Sequence, residues 1–81
     1  LRADLFLKLV GVAKTRMAAK RMCEAGLVLR EGRPLKPSDS LLPGQALDLA
    51  IPEREGCLRV LALPTGKSVA RKDRSLYASF S

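Results

Sequence analysis

Histidine and tryptophan are absent from this 81-residue chain, and only three aromatic residues occur, Phe6, Tyr77 and Phe80. Without histidine, a general base would have to be a carboxylate, a lysine or a thiolate, and no such pair stands at a convincing spacing. No catalytic residues are therefore assigned, and the chain is not expected to be an enzyme. So few rings imply an aliphatic core and nearly exclude recognition by stacking bases on aromatic platforms. The two cysteines, Cys23 and Cys57, lie far apart with no CxxC pair, which argues against a zinc site or a disulfide framework. They read as ordinary thiols of a reducing cytoplasm, and neither metal nor cofactor is expected. No apolar run approaches the roughly 20 residues needed to span a membrane, and no signal-peptide pattern is present. Because the chain starts at Leu1, a natural start residue is expected upstream of it.

Positive charge is abundant. Fifteen Lys and Arg stand against eight Asp and Glu, a formal net charge of +7. Residues 1 to 36 carry nine of the fifteen cations and three of the eight acids. The asymmetry places a polyanion-binding face in the first half. At this length the chain is one domain with a modest core.

Leu5, Phe6, Leu9, Val10 and Val12 recur at helical spacing from about Ala3, with Asp4 and Lys8 on the opposite side and Gly11 as a stop. A second helix is predicted from Thr15 to Ala25, with Thr15 as N-cap and Gly26 as the left-handed residue beyond its end. Residues four apart share a face, so Arg16 and Lys20 stack, followed by Glu24. Ala18, Ala19, Met22 and Ala25 would face the core. From Leu27 the period changes to that of strands. A hairpin is predicted with its turn at Glu31-Gly32 and a return strand edged by Pro34. Pro43-Gly44 fits the centre of a type II turn. Leu47, Leu49 and Ile51 alternate as a half-buried strand, Glu53 to Gly56 reads as a turn, and Cys57 to Leu63 as a further strand. A short helix is expected near Arg71 to Tyr77. The sum is an α+β domain: two N-terminal helices packed on a small antiparallel sheet.

In order, Arg2 and Asp4, Lys14-Thr15-Arg16, Ala19, Gly26, Val28, Gly32, Lys36-Pro37 and Pro43-Gly44 resemble the RNA-binding domain named after small-subunit ribosomal protein S-four. The match covers about residues 2 to 51. Beyond it, RVLALP and a tail with Leu76-Tyr77 look like the small stand-alone members, of the fifteen-kilodalton heat-shock and ribosome-associated quality-control type. Residues 1–51 are thus read as the core and 52–81 as an extension of the same domain. The chain departs from the family at the hairpin turn, where Glu31 replaces the usual Asn, and at Gln45, which follows Gly44 in place of Asp.

The resemblance implies an alpha-L type fold and non-catalytic binding of structured RNA, ribosomal RNA of the large subunit or tRNA, during rescue or quality control of stalled translation. A cytoplasmic monomer is expected. The candidate contacts are Arg2, Lys14, Thr15, Arg16, Lys20, Arg21, Arg33 and Lys36. Arg offers a planar fork to phosphate oxygens and Lys a point charge. Structural alternatives stand beside these roles: Arg2 as an ion-pair partner of Asp4, and Lys20 paired with Glu24. Charge reversal of Arg16 is expected to abolish binding and leave the fold intact. Lys67, Arg71, Lys72 and Arg74 read as a solvated tail, or otherwise as a second electrostatic contact. Thr65-Gly66-Lys67-Ser68 is not a P-loop, since Leu61 stands where the first glycine is required. Three other readings stay open: an accessory domain of a pseudouridine synthase or ribosomal RNA methyltransferase, a helix-turn-helix DNA binder using the second helix, and a protein-binding adaptor.

Overall fold

The structure is a computed structural model that describes all residues, Leu1 to Ser81. Helices α1 (Ala3–Leu9) and α2 (Arg16–Glu24) precede β1 (Val28–Arg30), β2 (Arg33–Pro34), β3 (Ala46–Ile51), β4 (Arg54–Val60) and, after a 3-10 turn at Arg71–Leu76, β5 (Ala78–Phe80). The five strands form one antiparallel sheet in the order β2-β1-β3-β4-β5. The helices cover one face of it.

Local chemistry explains the boundaries of α2. Thr15 is extended, and its hydroxyl accepts from the Ala18 N–H at 3.0 Å, a cap of about 1 kcal/mol. At the other end Gly26 takes φ +74°. The Gly26 N–H donates to the Cys23 carbonyl and the Leu27 N–H to the Met22 carbonyl. That pair of bonds is a Schellman closure, and Leu27 and Met22 both pack against the core. The chain is thereby aimed straight into β1.

Burial corrects both helical faces. Asp4 does not sit on an outer side; it is 2% exposed. Leu7, absent from the predicted stripe, is fully buried, while Leu5 is only half-buried. On α2 the buried pair is Ala19 and Cys23, flanked by half-buried Ala18 and Met22; Ala25 is the exposed C-cap. A seven-residue helix that packs along α2 and gives Ala3, Phe6, Leu7 and Val10 to the common core is enclosed on most sides, so a single stripe underestimates its burial.

The sheet follows the predicted alternation most closely in β3, where Leu47, Leu49 and Ile51 are buried and their neighbours exposed. The turn predicted at Glu53 to Gly56 is displaced. Ile51 pairs with Arg54, so Pro52 and Glu53 make the turn and β4 begins at once. The predicted strand to Leu63 ends at Val60. The C-terminal helix is a 3-10 turn, and the chain then returns as β5, which was not expected. Gly56 lies beside it, and a Cβ there would collide with the Ser81 carbonyl oxygen. The core is aliphatic apart from Phe6 and the Cys23 thiol. Phe80 is over a third exposed, with the Arg54 guanidinium 4.1 Å from its ring centroid.

Both glycine turns form. Leu42 to Gln45 closes through a Gln45 N–H to Leu42 carbonyl bond, with Gly44 at φ +91°. Gln45 replaces the family's acid without loss: its Oε1 accepts from the Leu42 N–H at 2.9 Å. At the hairpin, Glu31 has φ +53° and Gly32 φ +78°, the doubly left-handed geometry of a type I′ turn. Glu31 is the only non-glycine residue with positive φ.

Candidate nucleic-acid interface

Burying a carboxylate is costly unless it is paired and hydrogen-bonded, and Asp4 is surrounded accordingly. Arg2 donates to it twice, from Nε to Oδ1 at 3.2 Å and from Nη2 to Oδ2 at 3.1 Å. Arg16 Nε approaches Oδ1 at 3.3 Å, and the Leu5 N–H donates to the same oxygen at 2.8 Å. Burial pushes the carboxyl upward. The Arg2 hydrogen bond, the Leu5 N–H and the charges of Arg16 and Arg2 outweigh it and hold Asp4 below the usual carboxylate range.

Arg2 and Arg16 therefore meet on one anionic hub, which the sequence reading offered for Arg2 alone. Their side chains remain about half exposed, 51% and 48%. Arg16 uses Nε towards Asp4, and a guanidinium carries five N–H donors, so its outer edge is available to a phosphate. Asp4 fixes the plane of both forks, which lowers the side-chain entropy lost on binding.

The remaining candidates divide. Lys14, Lys20 and Arg21 are exposed and in no ion pair. The pairing of Lys20 with Glu24 is not formed. Thr15 spends its hydroxyl on the cap of α2, one residue before Arg16. Arg33 and Lys36 are exposed near the hairpin. Their segment is tied to α1 by backbone: the Ala3 N–H donates to Asp39, the Asp4 N–H to Pro37, and Arg2 bridges Ser40. The hairpin end is less basic than its sequence suggests. Arg30 is drawn into a pair with Asp39 at 3.5 Å and a bond to the Ser40 carbonyl at 2.9 Å.

Three features escaped the sequence reading. Asp4 acts as hub, Arg30 is structural, and Arg74 is half-buried rather than part of a solvated tail. Only the R-x-D spacing of Arg2 and Asp4 signalled the first. Cys23 is buried, and burial first, then the nearby charges of Asp4, Asp39 and Glu24, push its thiol up to about 11. No group of His, Cys, Asp or Glu could hold a metal ion, and no helix is long and apolar enough to cross a membrane.

Residues 1–47 match the S4 domain. Over 77 residues the chain is 38% identical to an RQC P-site tRNA stabilizing factor of Helicobacter pylori, covering 95% of this chain and 92% of that protein. The same factor from a second strain is 35% identical over equal shares. Among solved structures, Heat Shock Protein 15 of Vibrio cholerae superimposes with a TM-score of 0.88 over 100% of this chain and 81% of that one, at 23% identity. That likeness carries the fold. The solution structure of hypothetical protein HP1423 gives a TM-score of 0.82 at 33% identity, over 100% of this chain and 96% of that one.

Proposed function

The chain belongs to the S4 domain family, and from that premise we propose that it binds structured RNA without catalysis, as a small factor in ribosome-associated quality control. The observation that carries the reading is the paired presentation of Arg2 and Arg16 on buried Asp4, beside the unpaired cations Lys14, Lys20 and Arg21. A-form RNA hides its base edges in a deep major groove, so a rigid basic surface tracks phosphates and 2′-hydroxyls. Binding then proceeds by charge neutralisation and counterion release, and its affinity falls steeply with salt.

The curated relatives are named for stabilising P-site tRNA. That supports tRNA, together with ribosomal RNA of the large subunit, as the partner, and the cytoplasm as the place of action. Lys14, Arg16, Lys20 and Arg21 form the primary contact in this reading. Arg2 completes it, Thr15 positions it, and Arg33 and Lys36 extend it along the hairpin. Residues 52–81 are an extension of the same domain, a reading supported by β4 and β5 joining the sheet begun by β1 and β3.

The test is binding to purified large subunits carrying peptidyl-tRNA, competed with free tRNA and with B-form DNA duplex. Preference for the ribosomal complex over DNA is the expected result. Equal or better binding to duplex DNA would return the helix-turn-helix reading.

A further inference from the structure

The α2 face leaves one basic concavity unexplained, between the end of α1 and the C-terminal 3-10 turn. It encloses about 420 Å³ and is lined by Lys8, Lys14, Arg71 and Arg74, with Ser68 and Gly11 among its walls. Four cations surround it and no carboxylate lines it. None of the four is in an ion pair, because every ion pair of the molecule uses Asp4 or Asp39. Asp73 lies on the same 3-10 turn without reaching the cavity. Like charges gathered in a concavity raise the local potential and draw in a counter-charge.

Arg74 is the built part of the site. Its guanidinium lies over Gly11, so closely that a Cβ on that residue would collide with Nη1 and Cζ. Its Nε is shut away from solvent with no acceptor. Buried donors are ordinarily satisfied, so a turn of the Arg74 side chain towards an anion oxygen in the cavity would give Nε the charged acceptor it lacks. The negative end of α1 does not oppose this, since the Phe6, Leu7 and Lys8 carbonyls already accept from Val10, Val12, Ala13 and Gly11.

We propose that this cavity is a phosphate-binding site, assembled by the C-terminal turn against the end of α1. Lys14 belongs both to the cavity and to the run of cations leading into α2. The phosphate is therefore a phosphodiester of the same RNA, and the C-terminal turn is a second wall of the interface. Only this choice of phosphate source rests on the RNA reading above.

The test uses the Lys8→Ala/Arg71→Ala double variant, whose side chains make no ion pair or hydrogen bond. Arg71→Gln alone replaces it should it fail to fold. One arm titrates pyrophosphate and follows the Gly11 and Ser68 amides by NMR; the other measures RNA affinity against salt. The proposal expects wild-type amide shifts that the variant loses, with RNA affinity falling roughly five- to tenfold. The slope of log K against log salt should become shallower by about one to two. Shifts lost without a change in RNA affinity would assign the site to free phosphate, and a change in RNA affinity and slope alone to the RNA backbone. No wild-type shifts, with unchanged RNA affinity and slope in the variant, would overturn it. Failure of the wild type to bind RNA would instead sink the RNA reading and leave the pyrophosphate arm to decide the site.

Discussion

Arg16 Nε lies 3.3 Å from Asp4 Oδ1, so one side chain presents charge to solvent and joins α2 to the buried start of α1. A charge reversal here is not a clean surface mutation, contrary to the expectation drawn from sequence. Arg16→Glu sets a second carboxylate against a buried one, and its cost is expected at about 2–4 kcal/mol. Arg16→Gln, which removes charge without reversing it, should cost about half as much. Urea denaturation of the three proteins measures the difference; equal midpoints would mean that the pair contributes nothing.

The pH dependence follows from Asp4. Its folded carboxyl is held below its ordinary 3.8, so its stabilisation is fully present above that value. It is lost as pH falls through the lower folded value. Asp4→Asn should be roughly 2 kcal/mol less stable at pH 7 and show a flatter stability profile below pH 4 than the wild type. Parallel profiles for the two proteins, measured by denaturation between pH 2 and 7, would contradict the pairing.

Lys20 and Arg21 are the cleaner probes of the RNA face, being exposed and unpaired. Lys20→Glu and Arg21→Glu should each weaken RNA binding by about five- to tenfold at low salt, with a shallower salt dependence. The melting temperature should stay where it is. Wild-type affinity in both folded variants would remove α2 from the interface.

Glu31 holds φ +53°, where residues with a Cβ are strained by about 1–2 kcal/mol and Asn less so. Glu31→Asn should stabilise the protein by about 0.5–1 kcal/mol, a rise of several degrees in melting temperature. It should also tighten RNA binding modestly by removing a negative charge beside Arg33. Calorimetry reads the first effect and RNA titration the second.

The two thiols should differ sharply. The Cys23 thiol is pushed up to about 11, chiefly by burial, whereas Cys57 is only half-buried. A thiol-specific reagent at pH 8 should modify Cys57 promptly and Cys23 only as the protein unfolds. The neutral Cys23 thiol stabilises the fold fully below its ordinary 9.0 and loses that effect as pH rises towards the folded value. Two native thiols reacting at equal rates would show that the α2 face is not closed over the core.

Helix α2, β3 and the two glycine turns were legible because each is set by local chemistry. Thr15 caps α2 and Gly26 closes it, Gly32 and Gly44 take positive φ in the turns, and Leu47, Leu49 and Ile51 alternate. What was not legible depends on partners distant in the chain. The burial of Asp4 needs Arg16; β5 needs β4, with Leu58 opposite Phe80 and Arg59 opposite Ser79; and the half-burial of Arg74 needs the missing side chain of Gly11. The candidate contacts on α2 could be grouped from the sequence because they lie on one helix. The basic cavity was not, because its cations come from Lys8, Lys14, Arg71 and Arg74, joined only by folding.

The bridge between Arg2 and Ser40, with the Leu41 N–H donating to the Leu1 carbonyl, sets an order of events during synthesis. A chain made from its N-terminal side exposes Arg2 and α1 before Ser40, and neither is anchored until residues near Ser40 have emerged and turned back. The side-chain contacts of the Asp4 hub need only residues 2 to 16. The backbone bonds that anchor this start to Pro37, Asp39 and Ser40 join residues far apart in sequence, whereas α2 and the first hairpin form from neighbouring ones. During synthesis this leaves an interval in which the basic residues of α1 and α2 are present and their backbone anchor at residues 37–41 is not.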